Sequence, residues 1–160
     1  MALAKASETD FTFPVFGFIP DGEDTGWPHI WALLTYDRAL FKMDIYPGME
    51  LIDSGGRRWI TRAAHRVREQ APKRWWHVWP LKPHSWYELE LDIEAVEPVT
   101  FAELRERLYV GKERSFLDPG IGYSDEEKEE RLAEVRAAQS GQELYDVFGF
   151  FFEPGFWYGR

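Results

Sequence analysis

Between residues 87 and 95, within a run from 86 to 96, apolar and acidic positions alternate without a break, with Tyr87, Leu89, Leu91 and Ile93 standing between Glu88, Glu90, Asp92 and Glu94. A period of two places these sets on opposite faces of a strand, so one face is core and the other is a ladder of acids. Upstream, two strand-like segments at 49–52 and 58–67 flank Asp53-Ser54-Gly55-Gly56, residues that accept a tight reversal, and the pattern predicts a β-hairpin. Phe11, Phe13, Val15, Phe16 and Phe18 predict another buried strand that stops at Pro20-Asp21-Gly22, and 75–79 predicts one more, ended by Pro80 and Pro83. Pro28 is placed to open a helix over 28–41 with Trp31 and Leu34 inside; a pair of strands is the competing reading.

Pro98 ends the alternating strand. Thr100 and Glu103 then form a capping-box pattern, which predicts a helix to about residue 110 with Leu104 and Leu108 as its inner stripe. Ser124 predicts the cap of a second helix over 124–140, with Asp125, Glu126 and Glu127 in its first turn, Glu127 and Arg131 as an i,i+4 pair, and Gly141 as its stop. Its apolar stripe is thin, mainly Leu132, Val135 and Ala138, so this helix is expected on the surface. Val147-Phe148-Gly149-Phe150 repeats Val15-Phe16-Gly17-Phe18, and with nothing else recurring at that offset the repeat is read as two similar buried strands. Residues 1–10 are expected as a disordered tail. Together these elements predict one domain of α+β class: a bent antiparallel sheet or partly open barrel flanked by two or three helices.

A length of 160 residues suits one domain with a real core. Aromatics at 17% mean that the core rests on large flat side chains. The absence of cysteine excludes disulfides, thiol catalysis and thiolate metal sites. No apolar run approaches the ~20 residues of a membrane helix and the first ten residues lack a signal-peptide layout, so a cytoplasmic protein with no membrane association is expected. Charge changes the picture more. Residues 1–56 carry a net −6, residues 57–84 a net +7 and residues 85–160 a net −10, which places a cationic insert inside an anionic chain.

Most catalytic readings fail on spacing. Asp53-Ser54-Gly55-Gly56 and Ala63-Ala64-His65 resemble the serine and histidine words of trypsin-like proteases, but their order is reversed, and a strand rising ~3.3 Å per residue carries His65 far from the turn. His29, His65, His77 and His84 include no helical i,i+4 pair, so no metal site is expected; no phosphate-binding glycine loop occurs, and no cofactor is expected. Glu88 and Glu90 share a strand face about 7 Å apart, which leaves a carboxylate-based enzyme as an alternative. The competing account pairs these acids across strands with Arg62, Arg66 and Arg68.

Two surfaces remain as binding candidates. Segment 66–86 joins cations to tryptophans, and Lys73, Arg74, Trp75 and Trp76 are its candidate contacts for single-stranded nucleic acid, although the anionic flanks oppose a polyanion. The second helix projects Glu126, Glu129, Glu130 and Glu134 away from Leu132 and Val135, as candidate contacts for a cationic protein partner.

This profile of a small acidic domain, free of cysteine and rich in surface carboxylates and aromatics, resembles bacterial immunity proteins. That resemblance implies a non-enzymatic module that binds and neutralises a basic toxin. The stretches Trp31-Ala-Leu-Leu-Thr-Tyr-Asp-Arg-Ala-Leu-Phe41 and Gly48-Met-Glu-Leu-Ile-Asp-Ser-Gly-Gly-Arg-Arg-Trp59 are similar to small bacterial proteins of uncharacterised function. The hairpin is similar to the opening strands of SH3-like barrels, a likeness of fold that carries no activity.

Overall fold

The computed structural model describes residues 3–18, 36–38, 46–70, 86–116 and 122–148. Among these the strands are β1 (Ala4–Lys5), β2 (Val15–Phe18), β3 (Tyr36–Arg38), β4 (Glu50–Asp53), β5 (Arg58–Gln70) and β6 (Trp86–Val96), and the helices are α1 (Phe101–Ser115), α2 (Asp125–Ala137) and α3 (Gly141–Phe148). The strands form an antiparallel sheet in the order β1-β6-β5-β4-β2, with β3 on β6 as well. β1 pairs with residues 92–93 and β3 with residues 86–88, so both lie on the side of β6 away from β5. The sheet is open, and the fold is α+β. No helix among the described residues is long and apolar enough to cross a membrane.

The strand period divides the apolar residues between two layers. On β4, Leu51 and Ile52 are adjacent and both fully buried, yet they belong to different clusters. Leu51 joins Val15, Trp59, Leu89, Leu91, Ile93 and Phe11 on one face. Ile52 and Phe16 face the helices and meet Leu104 and Leu108 of α1, Val135 of α2 and Leu144 of α3. Each fully buried aliphatic side chain contributes about 1.5–3 kcal/mol. Removing the Val135 contact would therefore loosen α2, which has few others like it.

The β4–β5 turn is organised by Asp53, a fully buried carboxylate. Its Oδ1 accepts the backbone N–H groups of Gly55 (3.0 Å) and Arg57 (2.9 Å), while Oδ2 accepts Thr12 N–H (3.0 Å) and Arg57 Nε–H (2.9 Å). Gly56 closes the turn at φ 82°, where a side chain would also collide with the Val99 carbonyl. Ser54 Oγ donates to the carbonyls of Thr12 and Phe13, so the serine that echoed a protease word is a turn residue.

Several expectations need correction. Residues 3–10, expected as a tail, lie against the sheet: β1 pairs with β6, Ala6 is buried in a short 3-10 turn, and Ser7 donates its N–H and Oγ–H to Glu90. A small methyl and two hydrogen bonds hold a stretch that periodicity does not flag. Phe13 was expected inside with its neighbours, but it is 47% exposed because the paired strand starts only at Val15. The helix expected over 28–41 is broken by β3, whose residues pair with β6, so the competing strand reading holds for 36–38; residues 28–35 and 39–41 lie outside the described residues.

The helices also depart from expectation. α1 runs on to Ser115, past the expected end near 110. α2 ends at Ala137, because Ala138 turns to ψ 133° and buries its methyl group. Gly141 opens α3 instead of stopping α2. Ser140 Oγ accepts Glu143 N–H there at 3.2 Å, and Glu143 accepts Gln139 N–H at 2.8 Å. Val147 and Phe148 consequently sit at the end of a helix, so the expected second aromatic strand is not formed at those positions. The strand expected over 75–79 lies outside the described residues.

Candidate protein-binding face

α1 and α2 form an antiparallel pair whose start points are set by their caps. Thr100 Oγ1 accepts Glu103 N–H (3.2 Å) while the Glu103 carboxylate takes Thr100 N–H (2.7 Å) and its hydroxyl (2.8 Å). Ser124 and Glu127 repeat the arrangement on α2 at 3.2 and 2.7 Å. Hydrogen bonds from the cap backbone, then from the cap side chain, hold both carboxyls below their ordinary 4.5. The helices then meet residue by residue. Arg105 Nη1 donates to the Ala138 carbonyl at 3.1 Å, Leu108 shares a cluster with Val135, and the Arg136 guanidinium lies 4.1 Å from the centre of the Tyr109 ring.

Contacts within α2 itself decide which acids remain available. Glu127 is used by its cap and attracts Arg131 without a close ion pair, and Arg131 instead holds Glu134 at 3.1 Å. Lys128 is drawn to Asp125 at 3.4 Å. Of the four acids expected to face a partner, Glu134 is thus engaged by its own helix. Glu126, Glu129 and Glu130 are exposed and make no ion pair or hydrogen bond among the described residues. A carboxylate with no internal cation leaves its field open to an incoming one.

Beside these acids lies a groove of about 490 Å³, lined by Tyr109 from α1 and by Glu129, Leu132, Ala133, Arg136 and Ala137 from α2. The α2 positions recur at i, i+3, i+4, i+7 and i+8, which is one continuous stripe of a helix. Its floor is small and apolar, with Ala133 and Ala137 exposed. Sequence reading missed this stripe because Leu132 was assigned wholly to the core. The Ala133–Ala137 spacing was legible, but Tyr109 reaches the groove only through the crossing of the two helices.

The strand acids behave differently. Arg62 Nε donates to Glu94 Oε2 at 2.5 Å, His65 Nε2 stands 2.7 Å from Asp92 Oδ2, and Glu90 is held by Ser7. The expected arginine row is only partly realised. A β-bulge between Thr61 and Ala63 shifts the register by one residue, so His65 faces Glu90 and Arg66 comes opposite Leu89. Another carboxylate, Glu50, is clamped by Arg58 and by Arg107 Nη1 at 2.6 Å, and ties β4 to α1. Among the described residues no cluster of His, Asp and Glu is arranged to hold a metal. Lys73, Arg74, Trp75 and Trp76, the nucleic-acid candidates, lie outside the described residues.

Comparison with protein-family models, with curated proteins and with solved structures returned no match.

Proposed function

We propose that this chain is a protein-binding module of immunity type, which uses the outer face of α2 to hold a cationic protein such as a basic toxin. The observation that carries the reading is the division of labour among the acids. Glu50 of β4 and Glu90, Asp92 and Glu94 of β6 are occupied by Arg58, Arg107, Ser7, His65 and Arg62, whereas Glu126, Glu129 and Glu130 stand together without an ion pair among the described residues. Three uncompensated charges within two turns attract a basic surface over roughly a Debye length, ~8 Å at physiological salt, and act mainly on the association rate. The adjoining groove supplies apolar area that charge alone lacks.

The test is capture from the native host with the tagged chain, followed by association kinetics with the retained protein. Retention of a basic protein whose association slows at least tenfold at low salt on Glu126→Lys, Glu129→Lys and Glu130→Lys together, with thermal stability unchanged, supports the reading. Retention of no protein at low salt, or unchanged association by the triple variant, overturns it.

A further inference from the structure

Resting on the acidic-face reading, we infer that the α1–α2 groove receives an amphipathic helix of the partner, and that the groove's charge polarity sets the helix's orientation. The stripe Glu129, Leu132, Ala133, Arg136, Ala137 has the spacing with which one helix meets another. Ala133 at its centre and Ala137 at its end permit close approach of a second backbone, and Tyr109 walls one side. The stripe is also asymmetric. Its N-terminal end carries Glu129 with Glu126 and Glu130 nearby, while its C-terminal end carries Arg136, placed over the Tyr109 ring at 4.1 Å. Residues 129 and 136 are seven apart, so these opposite charges stand about two turns, roughly 10.5 Å, from one another. The complementary occupant has an apolar seam with Lys or Arg at one end and Asp or Glu two turns along. A uniformly basic helix matches only half of this pattern, and a flexible basic tail does not use the apolar floor at all.

The probe is a synthetic helical peptide of about 16 residues with a leucine seam, lysines at one end and a glutamate two turns away. A second peptide carries the same seam with the glutamate replaced by lysine. Fluorescence anisotropy with the full chain reads the affinities. The expected result is that the first peptide binds at low salt more tightly than the second, and that Arg136→Glu reverses this preference. Ala133→Trp, an exposed position where the ring fills the groove, should weaken the first peptide at least tenfold while circular dichroism and melting stay native. If both peptides are weakened by the triple lysine variant but neither by Ala133→Trp, the acidic face binds and the groove does not, which overturns this inference alone. If Arg136→Glu leaves the preference unchanged, the orientation falls. If no peptide binds, or binding ignores the triple variant too, this inference falls together with the reading beneath it.

Discussion

Replacing Asp53 by alanine is expected to cost about 3–5 kcal/mol, because it removes one acceptor group from several donors at once. Thr12, Gly55 and Arg57 each give it a backbone N–H at 2.9–3.0 Å. Each stranded N–H costs about 1 kcal/mol at the low end of the range for unsatisfied donors. The Arg57 guanidinium, 47% exposed, adds at most about 1 kcal/mol, since water takes the place of its counter-ion. For a domain of this size that loss corresponds to a fall in Tm of roughly 8–15 °C. Asparagine separates the two oxygens. It retains the Oδ1 bonds to Gly55 and Arg57 but sets an NH2 group against Thr12 N–H and Arg57 Nε–H, so it should cost about half as much. Urea titrations followed by fluorescence and by far-ultraviolet circular dichroism, with unchanged m-values, give both figures. A loss below about 1 kcal/mol for Asp53→Ala would refute the account of the turn as built on this carboxylate. Equal losses for both substitutions would show that the charge matters, and not the pattern of acceptors.

Gly141→Ala should destabilise by about 1–3 kcal/mol, because the new methyl would stand 3.2 Å from Ser54 Cα and nearer still to its Cβ; Ser54→Gly in the same chain should recover part of the loss in a double-mutant cycle. Thr61→Val should raise the midpoint of urea unfolding, since Thr61 Oγ1 is buried without a hydrogen-bond partner among the described residues and the swap keeps its shape. Glu127 stabilises α2 as a carboxylate held below 4.5 by its cap, so its contribution is complete above that pH and is lost as pH falls through the lower folded value; the helicity gap between the native chain and Glu127→Gln, read by circular dichroism, should close on acidification. Reversing Glu90 and Asp92 to lysine should lower Tm, because it ejects Ser7 and sets a cation against His65, whereas the triple α2 variant should melt normally; the opposite pattern would place the binding face on β6.

Local pattern decided much of this protein. A period of two in residues 86–96 makes β6 a strand with Leu89, Leu91 and Ile93 inside, whatever its neighbours are, because the pleat sends alternate side chains to opposite faces. The Thr100–Glu103 and Ser124–Glu127 words likewise start α1 and α2 from within four residues, since a cap needs only the free amides of its own first turn. Ser140 and Glu143 carry the same word, and α3 was legible there, but the reading of Gly141 as a stop took precedence over it. Other features belong to the tertiary structure alone. The bulge after Thr61 exchanges the faces of His65 and Arg66, and β-bulges follow from how two strands must bend together, not from either sequence. The placement of the first residues depends on β6, some eighty residues away, where residues 92–93 pair with β1 and Glu90 accepts from Ser7, and no local window contains it. The candidate site divides in the same way. That α2 is acidic and outward-facing follows from helical spacing, and which of its acids stay free follows from the cap and i,i+3 pairs of α2 itself, but which helix walls the groove beside them was settled by the crossing that brings Arg136 over Tyr109.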